Sequence, residues 1–261
     1  LYNFPSNPTG ATITVEQRDE LLAFAQRHDL WIITDEVYDR IVFDSEHVSF
    51  VGCDNERVIL INSFSKTYAM TGWRIGYIMS ANKEAMNQMI KLQYYITACS
   101  NDAMQYAVLT AINDADDYPD EMCAEFKARR DLICSRLNKM PGVQCHVPEG
   151  AFYVFPKVDV PGMNSEEVAI ELLKGGVLCS PGSAFGPSGE GHLRFAYTIS
   201  REDISPSCSP VVGSPAMLEC GTGSQGGNGI GAIEKIIYRS APTIITGTPP
   251  AQGWVFTYEN F

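Results

Sequence analysis

The sequence predicts an α/β fold, with a mainly parallel sheet and its helices over residues 1–117 and a smaller α+β domain over 118–204. Three observations carry that prediction. Apolar runs that read as buried strands alternate with amphipathic helices. Polar residues able to do chemistry fall at or just past the ends of those runs. Composition then changes abruptly after Ile204.

Taken in order, Thr14 followed by Gln17 is a capping-box pattern and starts a helix over about residues 15–28, with Leu21, Leu22 and Ala25 on its apolar side. Leu30–Thr34 reads as a strand apolar on both faces, as parallel strands are. Arg57–Asn62 and Ile75–Met79 are two more such runs, and a helical stretch follows from about Lys83 to Asn113. Tyr118-Pro119 punctuates the chain there. A charged amphipathic helix from about Asp120 to Lys139 comes next, closed by Pro141-Gly142. Strands near Val143–Val147, Phe152–Phe155 and His192–Tyr197 flank a helix at about Ser165–Lys174. Residues 205–229 are dense in Ser, Pro, Gly and Cys, so 205–261 is expected to be an atypical, flexible tail.

Composition narrows the function. A net charge of −12 on 261 residues argues against a nucleic-acid surface, which needs clustered Lys and Arg. No apolar run reaches membrane-spanning length, and no signal-peptide pattern opens the chain. The chain starts Leu1-Tyr2-Asn3, which fits a fragment or a processed protein. Its eight cysteines include no Cys-x-x-Cys pair, which suits reduced thiols in a cytosolic protein. His146 beside Cys145 is weak evidence for a metal, and no metal site is expected.

Four segments hold the candidate chemistry: Asn7-Pro8-Thr9-Gly10, Asp35-Glu36-Val37-Tyr38, Ser63-Phe64-Ser65-Lys66 with Gly72-Trp73-Arg74, and Leu193-Arg194-Phe195. In open α/β sheets ligands bind in the crevice beyond the strand ends. A lysine on a turn after a buried strand can be desolvated until its amine is neutral and nucleophilic toward an aldehyde; a lone lysine is more often a solvated surface group. Asp35, ending a strand, could pair with a protonated ring nitrogen, or simply cap the strand. Tyr38 could bring its hydroxyl to the same ring, or serve as a half-buried core tyrosine. Ser63, Ser65 and Arg74 offer hydroxyls and a guanidinium suited to a phosphate, although serines in turns are common. Arg194, set among apolar residues, needs an anionic partner, either a substrate carboxylate or an internal salt bridge.

These segments, in this order, resemble the class I and II aminotransferases of pyridoxal-phosphate fold type I, closest to the aspartate/aromatic branch. The resemblance covers about residues 1–204. The Ser-Phe-Ser-Lys segment with Gly72-Trp73-Arg74-Ile75-Gly76-Tyr77 is its most specific part. Gly150-Ala151-Phe152-Tyr153 and Pro181-Gly182-Ser183-Ala184-Phe185-Gly186 resemble the family's small-domain and active-site loops. The resemblance implies a large pyridoxal-phosphate-binding domain, of which this chain carries the C-terminal part, and the small domain after it. Lys66 matches the Schiff-base lysine and Asp35 the partner of the pyridine nitrogen. Asn7 and Tyr38 match the pair on the phenolic oxygen, with Asn7 also on the substrate side. Ser63, Ser65 and Arg74 match phosphate ligands, and Arg194 the clamp on the amino acid's α-carboxylate.

The activity so implied is transamination between an amino acid and a 2-oxo acid by a cytoplasmic homodimer. The alternatives are a fold-type-I lyase, and a non-catalytic fragment or ligand-sensing pseudoenzyme. Two features depart from the family pattern. The segment that precedes Asn-Pro-Thr-Gly in family members has no counterpart in this chain, so the remaining strands are expected to expose apolar edges and faces. After Arg201-Glu202-Asp203-Ile204 the chain leaves the family's amphipathic helix for low-complexity sequence.

Overall fold

Helix α1 (Val15–Arg27) begins with the expected reciprocal cap: the Thr14 hydroxyl accepts from the Gln17 amide, and the Gln17 side chain accepts from the Thr14 amide. In the computed structural model, which describes residues 2–53, 56–115 and 117–204, the chain then enters a four-stranded sheet. The expectation of a flexible tail over 205–261 lies outside the described residues. Strands β1 (Tyr2–Asn3), β2 (Ile32–Asp35), β3 (Val58–Ser63) and β4 (Gly76–Met79) lie side by side in that order. The first two pairings are parallel, and β4 runs antiparallel to β3, with Ser63 opposite Gly76. The sheet is therefore mainly parallel. Its antiparallel edge returns the chain to the carboxyl end of β3, so Arg74, just ahead of β4, stands at the same end of the sheet as Ser63 and Lys66.

The strands are covered on one face only, which corrects the expectation that both faces are buried. Ile32, Thr34, Val58, Leu60 and Asn62 face inward, whereas Trp31, Ile33, Ile61 and all of β4 are exposed. The alternation follows the two-residue period of a strand. It also matches the expectation of uncovered apolar faces.

The helical stretch after the sheet is two helices, not one. Helix α3 (Lys83–Thr97) is capped by Asn82, and α4 (Asp102–Asp114) by Asn101, whose side chain accepts from the Ala103 amide. Ala98 turns left-handed at φ 61°, and Asn101 supplies a new N-cap, so the chain breaks where a polar cap competes with helix continuation. Tyr94, Tyr95, Tyr106 and Leu109 on these helices are exposed.

Helix α5 (Tyr118–Leu137) starts at the Tyr118-Pro119 punctuation, with proline in its first turn. Two small antiparallel sheets follow: β5 (Val143–Gln144) with β7 (Lys157–Val158), and β6 (Tyr153–Val154), β9 (Leu193–Ala196) and β8 (Ser180–Pro181). Helix α6 (Ser165–Lys174) has a capping box between Asn164 and Glu167 and buries Val168, Ala169 and Leu172. A core of Ile133, Leu137, Val154, Leu172, Leu193 and Tyr197 takes in Tyr38, Ile41 and Phe43 from the loop after β2. That shared core seats the end of β2 against the small antiparallel sheets.

Candidate active site

Each polar group at the site is placed by a local reason. The Asn7–Gly10 turn closes through the Gly10 amide on the Ser6 carbonyl at 2.7 Å. Gly10 has φ +69°, and a Cβ there would overlap Pro148, so only glycine fits. The Gly10 carbonyl accepts from the Glu149 and Gly150 amides, which docks Asn7 beside the Gly150–Tyr153 segment. β3 ends at Ser63, which caps the single-turn helix α2 (Phe64–Thr67) and accepts from the Ser65 amide at 3.3 Å. Lys66 rises from that turn, directly past the strand end. Ser65 is the buried serine of the pair, and its carbonyl accepts from the Thr71 hydroxyl at 3.0 Å.

The Lys66 amine stands 5.3 Å from the Phe152 ring centre and 6.0 Å from that of Tyr38. Burial pulls its pKa down, and the Arg74 and Arg194 guanidinium groups add to that pull, while Asp35 opposes it. The amine is thus biased toward its neutral form. Asp35 is shifted the other way, upward by burial and by Glu36, against the Val37 amide hydrogen bond at 3.2 Å and the charge of Lys66. The two residues sense each other's charge, as a shared site requires.

Tyr38 is buried, and its hydroxyl lies 3.1 Å from that of Tyr153; burial raises its pKa first, then the neighbouring phenol. Arg194 sits in the second position of β9, not at a strand's carboxyl end as the sequence suggested. The β8–β9 register puts Ser180 directly across from it. Its guanidinium donates to the Asn7 side-chain oxygen at 2.8 Å and to the Ser180 hydroxyl at 3.0 Å, between the Tyr153 and Phe185 rings at 4.6 and 5.0 Å. Among the described residues its hydrogen-bond partners are neutral, so the internal salt bridge weighed from the sequence is not seen. A part-buried guanidinium held by neutral acceptors suits an incoming carboxylate. Arg74 takes a left-handed conformation at φ 52° and donates to the Thr71 carbonyl at 3.1 Å.

The structure therefore gathers Asn7, Asp35, Tyr38, Lys66 and Arg194 around the end of the sheet, with Ser63, Ser65 and Arg74 on or beside the lysine turn. Tyr153, Ser180, Phe152 and Phe185 join them and were not chosen from the sequence as site residues. Phe152, Tyr153 and Phe185 fall in the two segments that resemble the family's small-domain and active-site loops, which is the only hint; nothing in the sequence marks Ser180 as the residue opposite Arg194. Glu36, next to Asp35, is engaged elsewhere, accepting from the Phe50 amide, the Thr34 hydroxyl and His47. Among the described residues no cluster of three or more His, Cys, Asp or Glu could hold a metal. Cys145 Sγ is 3.8 Å from Cys134 Sγ and contacts the His146 carbonyl.

An amine, a carboxylate, a phenol and hydroxyls thus converge at the strand ends. Residues 1–209 match the family model for "Aminotransferase class I and II", and the chain belongs to that family. It is 44% identical over 209 residues to a probable aspartate aminotransferase of Methanocaldococcus jannaschii, covering 78% of this chain and 55% of that protein. It is 40% identical to aromatic-amino-acid aminotransferase 2 of Thermococcus litoralis, with 78% and 54% covered. Among solved structures, the aromatic aminotransferase of Pyrococcus horikoshii OT3 matches with a TM-score of 0.73 at 40% identity, covering 78% of this chain and 56% of that one. The chain thus spans little more than half the length of the relatives it matches.

Proposed function

We propose that the protein acts in pyridoxal-phosphate-dependent transamination between an amino acid and a 2-oxo acid, as part of a cytoplasmic homodimer. The carrying observation is the Lys66 amine, half-buried at the strand end, within the fields of Asp35, Arg74 and Arg194. The residues present fit the cofactor: Lys66 would hold its aldehyde carbon and Asp35 its ring nitrogen. Tyr38 and Asn7 would hold its phenolic oxygen, and Ser63, Ser65 and Arg74 its phosphate. When bound, pyridoxal phosphate supplies an electron sink for negative charge at the substrate's α carbon.

The chain's own residues do the remaining work. Asn7 gives its side-chain oxygen to Arg194, which leaves its amide N–H groups as donors toward the cofactor oxygen. Arg194 takes the α-carboxylate of the amino acid through its remaining N–H groups. With the carboxylate fixed, the α C–H is presented to Lys66, whose neutral amine serves as general base and moves the proton. Residues 1–117 would form the cofactor side of the site and 118–204 the small domain that brings Arg194 to it.

Product analysis tests the activity. Transamination yields a keto acid from the donor and a new amino acid from the acceptor in equal amounts. Release of ammonia or an elimination product would instead favour the lyase reading.

A further inference from the structure

Asp39 follows Tyr38 in the loop after β2, and its carboxylate bonds side chains on either side of Lys66. One oxygen accepts from the Asn62 side-chain amide at 2.9 Å. The other accepts from the Thr67 hydroxyl at 3.4 Å. Asn62, buried at the end of β3, returns its own side-chain oxygen to the Ser63 amide at 2.7 Å. Asn62 and Ser63 precede Lys66, and Thr67 follows it. A single carboxylate therefore reaches both ends of the turn that carries the amine. The Asp39 amide is itself fixed on the Glu36 carbonyl at 3.0 Å, so the tie starts from a backbone already held at the end of β2.

Helix α2 needs such a tie. It is one turn long, and a helix of that length has almost no stability of its own. Its internal fastenings, the Ser63 cap and the Thr71 hydroxyl on the Ser65 carbonyl, hold the turn together without setting where it stands relative to β2. The Glu36 amide already donates to the Ile61 carbonyl at 2.9 Å, and Asp39 extends that link by side chains into the turn itself.

We propose that Asp39 is a positioning residue: its carboxylate, through Asn62 and Thr67, fixes the Lys66 turn against the strand end that carries Asp35 and Tyr38. This rests on the reading of Lys66 as the reactive amine. Asp39 is not among the charges that shift Lys66, which are Arg74, Arg194 and Asp35. Its own carboxyl is raised by burial and by Glu36, against Asn62 and His47. Its influence on Lys66 is thus geometric, and geometry and charge predict opposite signs on its removal. Taking away an anion lowers a nearby amine's pKa; letting the turn swing out to water raises it.

The test is competitive acetylation of the full chain without cofactor over a range of pH, with the modification of Lys66 read by mass spectrometry. Wild type, Asp39→Ala, Asp39→Asn with Asn62→Asp, and Thr67→Val are compared. Asp39→Ala removes both acceptor oxygens, so the contacts with Asn62 and Thr67 are lost; Asp39→Asn alone would not break them, because a turned amide still accepts from Asn62 and donates to the Thr67 hydroxyl. The double variant swaps donor and acceptor, preserves every hydrogen bond described above and keeps the formal charge. The expected result is a Lys66 midpoint that rises toward 10.5 in Asp39→Ala, stays at the wild-type value in the double variant and moves part of the way in Thr67→Val. An unchanged or lowered midpoint in Asp39→Ala overturns the inference. Should circular dichroism show that variant unfolded, Thr67→Val decides, and an unmoved midpoint there overturns it equally. Pyridoxal phosphate added to wild type separately tests the proposed function, because the acetylation reads the free Lys66 amine in the cofactor-free chain.

Discussion

Replacing Arg194 by lysine keeps the charge and removes the fork. In the structure two of the five guanidinium N–H groups are used by Asn7 and Ser180, and the plane lies between the rings of Tyr153 and Phe185. An ammonium group is a point donor that cannot make two parallel bonds to a carboxylate while also bonding Asn7 and Ser180. The loss is at least one charge-assisted hydrogen bond, about 1.5–3 kcal/mol. At 1.4 kcal/mol per factor of ten, that is a fall of about 10- to 150-fold in kcat/KM for an amino acid. Weakened contact with the two rings adds about 0.5–1 kcal/mol. The control is the matching amine without an α-carboxylate, for which the variant should lose no more than about threefold, on the order of 0.6 kcal/mol. The assay follows the cofactor's absorbance after mixing the reconstituted protein with either substrate. Equal losses for the amino acid and the amine would refute the assignment of Arg194 as a carboxylate clamp.

Two further outcomes follow from the same geometry. Burial, Arg74 and Arg194 hold Lys66 below its ordinary value of 10.5. Between the lowered value and 10.5 the unfolded chain keeps a proton that the folded chain has released, so the lysine's contribution to stability rises with pH across that window. Lys66→Met should therefore be more stable than wild type at neutral pH, with a gain that shrinks toward pH 10.5; denaturant melts at several pH values measure it, and a pH-independent difference would contradict it. The Tyr38–Tyr153 hydroxyl pair, buried at 3.1 Å, should contribute about 1 kcal/mol. Changing each to phenylalanine alone should cost about that much, and the double change clearly less than the sum, whereas additive losses would show that the hydroxyls do not interact.

The residues that proved legible in the sequence are those whose chemistry is unusual for their setting. Lys66 follows an apolar strand, Asp35 closes another, and the cap residues Thr14 and Gln17 mark a helix start; in each case the local chain alone decides the structure. What the sequence concealed depends on partners distant along the chain. Gly76–Met79 reads as one more apolar strand, and nothing local reveals that it runs antiparallel to β3. The alternation of Ile32 inward and Ile33 outward is invisible in a run that is apolar throughout. The break at Ala98–Asn101 is carried by one polar cap inside an otherwise continuous helical pattern. Arg194 was legible as a charge among apolar residues, but its neighbours Ser180, Tyr153 and Phe185 come from strand register and loop packing. Asp39 was hidden for the same reason, since its partners Asn62 and Thr67 lie more than twenty residues away.

The most direct measurement is to add pyridoxal phosphate to the full chain, reduce with borohydride and map the modified peptide. The account predicts a visible absorption band before reduction and a phosphopyridoxyl group on Lys66, both lost in Lys66→Ala. Label spread over exposed lysines, or a band undiminished by that substitution, would contradict it.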